Sequence, residues 1–364
     1  MTSVRAYAPG RVNLIGEHTD YNDGFSLPIA LDRGTVVDLE VDETATHLRV
    51  ETASDVDSAS TSVIALDTSP GDVTGWAAYV AGCVWALRGD GVDVPGGRMR
   101  VGSDVPLGAG LSSSAALECA AVLAIAAAAG LRDVDRMTAA RWAHRAENHY
   151  VGAATGLLDQ MSSMFGAPDT ALLIDFRSLE VSPIAIDIGD AVLLVIDSRT
   201  PHSHATGAYG DRRASCEAAA AVLGGSLRDV DDDAWRTIDD PLLRRRARHV
   251  LTENRRTLDC ASALATGDVR AFGAAMSASH ASMRDDFEIT TPAIDAIVAH
   301  AVSSGAHGAR MTGGGFGGSV IAVASPEAAD RTETGLPDLI EEAGHPRPTV
   351  RAVRAGAGAW VTRR

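Results

Sequence analysis

The 364-residue chain contains no lysine; all 32 basic residues are arginine. That absence excludes several catalytic designs in their usual form. A Walker A loop sets a lysine on the phosphates, and a protein kinase sets one on a strand. Schiff-base enzymes need a lysine amine. Cysteine is scarce as well: Cys83, Cys119, Cys216 and Cys260 lie far apart and form no C-x-x-C pair. They are expected to be reduced structural thiols of a cytoplasmic protein. Cys119 stands in a strongly apolar stretch, where free cysteine behaves as a small hydrophobe. The eleven histidines show no H-E-x-x-H or other close ligand spacing. Long apolar runs are missing: the longest, Cys119 to Ala129, is too short to span a bilayer. The segment from Met1 to Tyr7 lacks the apolar core of a signal peptide. Positive charge is in deficit, and a net charge of -16 argues against nucleic acid or an anionic membrane as the main partner. It does not exclude a phosphate ligand, because a pocket can be locally positive.

What is present is an ordinary globular composition, 46% hydrophobic and 22% charged. The chain is longer than one core usually serves, so two domains are expected, over residues 1–185 and 186–364. Ser178 to Asp190 is the candidate crossing between them. Apolar alternation predicts strands over Gly34–Glu43 and His47–Glu51, and Ser/Asp/Thr richness predicts a loop over Thr52–Ser62. Trp76–Leu87 reads as a buried helix and Gly97–Val105 as a strand. Ser114–Ala129 reads as a helix covered on nearly all sides, closing at Gly130 and carrying one charge, Glu118. Arg136–Tyr150 reads as an amphipathic helix, and Thr170–Phe176 and Ala191–Asp197 as strands. Further helices are expected near Tyr209–Leu223, Pro241–Ala265 and Pro292–Ser303, and Arg310–Val323 reads as strand, Gly-rich loop and strand.

Three segments carry chemistry. In P-L-G-A-G-L-S-S-S (Pro106–Ser114), glycines let backbone N–H groups turn inward just before a helix N-terminus. That builds an anion site without lysine, and the serine hydroxyls suit phosphate oxygens or Mg²⁺. The plain alternative is a serine-capped buried helix after a tight turn. In A-P-G-R-V-N-L-I-G-E-H-T-D-Y-N-D-G-F-S-L-P-I-A-L (Ala8–Leu31), Arg11, Glu17, His18, Asp20 and Asp23 crowd into one loop-like stretch. Such groups suit a ligand with many hydroxyls, or else a surface turn with a local ion pair. In R-M-T-G-G-G-F-G-G-S (Arg310–Ser319), five glycines in six positions require close backbone approach to a ligand or to an adjoining strand.

Taken together, in this order and at these separations, the three segments resemble the motifs of the GHMP kinase superfamily. The G-R-V-N-L-I-G-E-H-T-D-Y block is similar to the galactokinase signature. So are A-E-N-H-Y-V-G-A-A-T-G-L-L-D-Q (Ala146–Gln160), Y-G-D-R-R-A-S-C-E (Tyr209–Glu217) and S-H-A-S-M-R-D-D-F-E-I-T (Ser279–Thr290) to galactokinase stretches. The resemblance implies an α+β, two-domain GHMP kinase fold with the active site in the cleft between the domains. The N-terminal domain would be ribosomal-protein-S5-like and the C-terminal one ferredoxin-like. It implies transfer of phosphate from MgATP to the anomeric hydroxyl of D-galactose, by a protein expected to be monomeric.

By the same resemblance, Asp159 is the catalytic base or the carboxylate that orients the hydroxyl. Arg11 lies beside it and the γ-phosphate. Ser114 and Glu147 hold Mg²⁺, and Glu17, His18, Asp20 and Tyr209 match the sugar contacts. The retained set Glu17-His18-Thr19-Asp20 favours galactose, with Thr19 counted among the sugar residues. Gly108, Ala109, Gly110, Leu111, Ser112, Ser113 and Ser114 wrap the nucleotide phosphates, and Gly313–Gly318 supports the closed site. Departures are mild: Leu157-Leu158 stands where Ile or Met is more usual, and Phe287 where Tyr is frequent. Two other readings stay open, a related 1-kinase for galacturonate, arabinose or an N-acetylhexosamine, and a sensor that binds both ligands without turnover.

Overall fold

The computed structural model describes residues 3–52, 60–153, 155–200 and 205–363, so most of the loop expected over Thr52–Ser62 lies outside the described residues. Strands β1 (Ser3–Asn13), β2 (Phe25–Ser26), β3 (Pro28–Val41), β4 (His47–Thr52), β5 (Thr61–Ala65) and β6 (Gly97–Ser103) open the chain, with α1 (Ala77–Gly89) between the last two. Helices α2 (Ser113–Ala128), α3 (Arg136–Arg145) and α4 (Leu158–Phe165) lead to β7 (Thr170–Asp175), β8 (Glu180–Ala185) and β9 (Val192–Asp197). The second half begins with α5 (Ala205–Leu223), α6 (Pro241–Ala265), α7 (Val269–Ser282) and α8 (Pro292–Ser303). It closes with β10 (Ala306–Thr312), β11 (Ser319–Ala324), α9 (Pro326–Glu342), β12 (Thr349–Val353) and β13 (Trp360–Arg363).

The first half is built on a six-stranded sheet ordered β13-β1-β3-β6-β4-β5. In β1, buried Val4, Ala6 and Ala8 alternate with Ser3, Arg5 and Tyr7, the period expected of a strand with one face on a core. At the centre of that core is α2, whose Ala-rich sequence offers no polar face. Its residues from Glu118 to Ala127 are all buried, covered by the sheet and by α1, α3 and α4. The second half is built on a four-stranded antiparallel sheet ordered β10-β11-β9-β12, packed against α7, α8 and α9. Its inner strand β11 is buried at every residue. A third sheet, β2-β7-β8, lies between. One apolar cluster spans both halves, joining Val12, Leu14 and Leu111 to Val195, Phe272 and Ile321. The last strand returns to pair with β1, so residues 360–363 complete the first sheet.

Local chemistry fixes several boundaries. Asp240, Thr291 and Ser325 each accept from backbone N–H groups of the following turn, and a proline begins each helix. Accordingly α6 and α8 have the limits that the sequence predicts. The helix expected from Arg136 to Tyr150 instead leaves α-helical geometry at Arg145 and continues as a π-helical turn, Ala146–Val151. The candidate crossing Ser178–Asp190 holds β8, paired to β7, and β3 starts at Pro28, ahead of the strand expected from Gly34. The four cysteines are buried and free. Among the described residues no helix is long and apolar enough to cross a membrane.

Candidate active site

The site begins at Gly10. The register of β1 against β3 shifts between Pro9 and Arg11, and a Cβ at Gly10 would stand 2.6 Å from the carbonyl oxygen of Leu111. The missing side chain lets the Pro106–Ser114 loop lie directly on the strand, where Arg11 N–H donates to Leu111 O at 3.1 Å. The bulge re-aims Arg11 toward α4. Its Nε and Nη2 both reach Oδ1 of Asp159, at 2.8 and 2.6 Å, while Nη1 donates to Gly110 O at 2.8 Å. The other carboxylate oxygen of Asp159 accepts from the Ser112 hydroxyl. One guanidinium thus ties the sugar block, the glycine loop and Asp159 into a single unit.

Arg11, Glu17, His18, Asp20, Asp159 and Tyr209 line one cavity of about 150 Å³, with Gly313 and Gly314 on its wall. Burial, followed by the neighbouring Asp159 and Glu17, pushes Asp20 up to about 7. Gly156 has no room for a side chain, because a Cβ there would run into the Asp20 carboxylate. His18 adopts a left-handed backbone (φ 61°). Its Nε2–H donates to Gly314 O at 3.2 Å and its Nδ1 accepts from the Tyr21 hydroxyl at 2.8 Å. Burial drives His18 down to about 3, so the ring is neutral. Tyr209, on α5, packs its ring 4.8 Å from that of His18, and burial raises its phenol well above the ordinary value. Thr19 does not line the cavity. Its hydroxyl turns inward to Gly16 O, Phe25 O and Ser26 Oγ and holds the loop in shape. Asp23 is likewise elsewhere, accepting from Ser226 at the surface.

In the Pro106–Ser114 loop, Gly108, Gly110 and Ser112 all have positive φ (72°, 73° and 56°), which curls the backbone ahead of α2. Ser112 occupies the N-cap position yet makes no side-chain cap bond, since its hydroxyl is spent on Asp159. The first-turn N–H groups of α2 are therefore left for an anion, beside the helix's positive end. The loop Gly313–Gly318 closes over the same place. Gly313 N–H donates to Glu17 Oε1 at 2.7 Å, and Ser319 Oγ donates to Ala109 O at 2.6 Å.

Ser114 on α2 donates to Oε1 of Glu147 at 3.0 Å. Glu147 sits in the π-helical turn, a frequent device for turning one side chain out of helical register. Thr155 and Gln160 donate to its Oε2 at 2.9 and 2.8 Å. Burial, and then Asp159, raise the Glu147 carboxyl above its ordinary value, the state of a carboxylate lacking a local cation. A hard cation therefore fits at Ser114 and Glu147. Among the described residues no group of three or more His, Cys, Asp or Glu is arranged to hold a metal. These two donors suit Mg²⁺ that brings phosphate oxygens as its remaining ligands.

Sequence reasoning missed the groups behind the cavity. Arg310, fully buried on β10, lies 3.6 Å from Glu17 and 3.9 Å from Glu253. Burial alone would raise Glu253, but Arg256, His249 and Arg310 hold it at about 2. Glu253 also accepts from Gly16 N–H at 3.1 Å and from Ser279, and so anchors the turn that presents Glu17. His249 donates to Glu17 O at 3.2 Å. The available signal was an arginine inside an otherwise apolar strand; Glu253 and His249 look like ordinary helix positions.

The comparisons with known proteins agree with this geometry. The family of GHMP kinases N terminal domains matches residues 78–167, the galactokinase galactose-binding signature residues 2–39, and the GHMP kinases C terminal family residues 260–340. A galactokinase of Mycobacterium tuberculosis is 56% identical over 358 residues, 97% of each chain. One of Streptomyces coelicolor is 45% identical over 97% of this chain and 92% of its own. The crystal structure of Lactococcus lactis galactokinase complexed with galactose superposes with a TM-score of 0.91 at 27% identity, covering 98% of this chain and 95% of that one.

Proposed function

The chain belongs to the galactokinase family of the GHMP kinase superfamily, and from that premise we propose how its residues divide the work. It is an ATP-dependent sugar kinase that phosphorylates galactose; in our reading the acceptor is the anomeric hydroxyl, giving galactose 1-phosphate and ADP. The observation that carries this reading is the single cavity shared by Arg11, Glu17, His18, Asp20, Asp159 and Tyr209, beside the open end of α2.

Glu17, Asp20, His18 and Tyr209 hold the sugar, the carboxylates accepting from its hydroxyls. Asp159 accepts the proton of the attacking hydroxyl as that oxygen bonds to the γ-phosphorus and the bond to the ADP oxygen breaks. Arg11 keeps Asp159 oriented and places positive charge beside the transferring group. The Gly108–Ser114 backbone cradles the phosphates. Mg²⁺ arriving with the nucleotide would be held by Ser114 and Glu147, and when bound it neutralises phosphate charge. Positioning and electrostatics supply most of the acceleration, as in other phosphoryl transfers. Every group used comes from one chain, which supports a monomer as the functional unit, and the free buried thiols suit a reducing cytoplasm.

The test is ADP release with ATP and a panel of galactose, galacturonate, arabinose and N-acetylgalactosamine, with the phosphorylated position identified. Galactose is expected to lead, because a 6-carboxylate would sit badly near Glu17. No galactose-dependent turnover would sink the reading.

A further inference from the structure

The Ala-rich helix α2 carries one charge-bearing side chain, Glu118, and the reaction as described does not use it. Glu118 is fully buried, with both carboxylate oxygens lacking a well-formed hydrogen bond among the described residues. It follows Ser114 by four residues and so shares its helix face. The amide of Gln160 faces it from α4. Gln160 is also fully buried, and its Oε1 is the third polar atom here without a partner. Its Nε2, by contrast, donates to Oε2 of Glu147 at 2.8 Å.

These facts constrain one another. An ionised Glu118 would be a buried charge with no cation beside it, facing two further carboxylates, Glu147 and Asp159. Burial, and then Glu147, push the group well above the usual carboxylate range. A neutral acid has one O–H to donate, and the unpartnered acceptor in front of it is Oε1 of Gln160. If the Gln160 amide were reversed, an oxygen would face Glu147 Oε2 and both would be acceptors. A donor on the far side of the amide removes that ambiguity.

We propose that Glu118 is a positioning residue of the phosphoryl-transfer site: as a neutral acid it donates to Oε1 of Gln160, locks the amide with its N–H toward Glu147, and so holds Glu147 in the orientation in which it meets Ser114 and the nucleotide's metal. The inference rests on the reading that Glu147 is a metal-holding residue. Groups one step behind a metal ligand typically change metal affinity by about 10- to 100-fold when removed.

The test titrates Mn²⁺ by electron paramagnetic resonance into the protein with a non-hydrolysable ATP analogue, for the wild type, Glu118→Leu, Glu118→Gln, Gln160→Met and Glu147→Gln. Galactose KM and kcat are measured alongside. Glu118→Leu and Gln160→Met are expected to weaken Mn²⁺ binding at least about tenfold and to lower kcat, with galactose KM unchanged. Glu118→Gln, which keeps a donor, is expected to restore binding to within about twofold of the wild type. Unchanged Mn²⁺ binding in Glu118→Leu and Gln160→Met, with Glu147→Gln impaired, overturns the inference and leaves the metal reading standing. An unimpaired Glu147→Gln overturns the metal reading and the inference with it. Equal losses in Glu118→Gln and Glu118→Leu also overturn it. Should the leucine variant fail to fold, Gln160→Met and Glu118→Gln decide the matter by the same criteria.

Discussion

The guanidinium of Arg310 lies 3.6 Å from Oε1 of Glu17, with the arginine side chain fully out of solvent. The strand of the second half thereby holds the carboxylate of the sugar block from behind, and Glu253 at 3.9 Å completes the charge balance. Removing one partner of such a set strands the others. Arg310→Leu is expected to lower unfolding free energy by roughly 3–5 kcal/mol, read from urea denaturation. A loss under about 1 kcal/mol would show that the buried charges do not depend on each other.

Gly156 gives a sharper test of the sugar wall. A methyl group there meets only the end of the Asp20 side chain, which can swing away. Gly156→Ala should leave stability nearly unchanged while displacing Asp20 from the cavity. We expect galactose KM to rise about tenfold, in line with roughly 1–3 kcal/mol for an overpacked contact, and ATP KM to hold. An equal rise in both would point to a general distortion.

Glu147→Gln keeps the shape of the side chain and removes its charge. Its Mg²⁺ requirement for half-maximal velocity should rise by about tenfold or more, measured at fixed nucleotide. An unchanged Mg²⁺ profile would remove Glu147 from the metal site.

The buried His249 makes a signed prediction about pH. Burial lowers it to about 4 in the folded protein, and the unfolded value is about 6.5. Between those limits the unfolded chain binds the extra proton, so the contribution of His249 is full above about pH 6.5 and is lost as pH falls toward 4. In urea unfolding across this range, the stability advantage of the wild type over His249→Asn should shrink as pH falls. A constant difference would contradict the buried neutral ring.

Legibility in the sequence followed locality. The Pro106–Ser114 loop and α2 could be read from neighbouring residues, because glycine spacing and an uninterrupted apolar helix are local facts. Asp159 and Arg11 came from motif resemblance, and their meeting is a product of the bulge at Gly10. Glu147 was named, but its orientation was not readable, since a π-helical turn has no clear residue signature and the stretch passes for continuous helix. Thr19 shows the opposite limit: its residue type suits a sugar contact, yet its hydroxyl is consumed by the loop's own backbone. The Arg310–Glu17–Glu253 set joins three distant segments, and no local pattern announces such a contact. Helix α9 is obscured by Pro337 inside it, and β13 by being short and largely polar at its outer face.

The most direct measurement of the central claim compares the wild type with Asp159→Asn in galactose and ATP, following the sugar phosphate by phosphorus NMR and galactose affinity by calorimetry. The wild type should form galactose 1-phosphate. The variant should bind galactose with nearly wild-type affinity and lose about 10²- to 10⁴-fold in turnover, the range of a missing general base. Near-normal turnover in the variant would contradict the account.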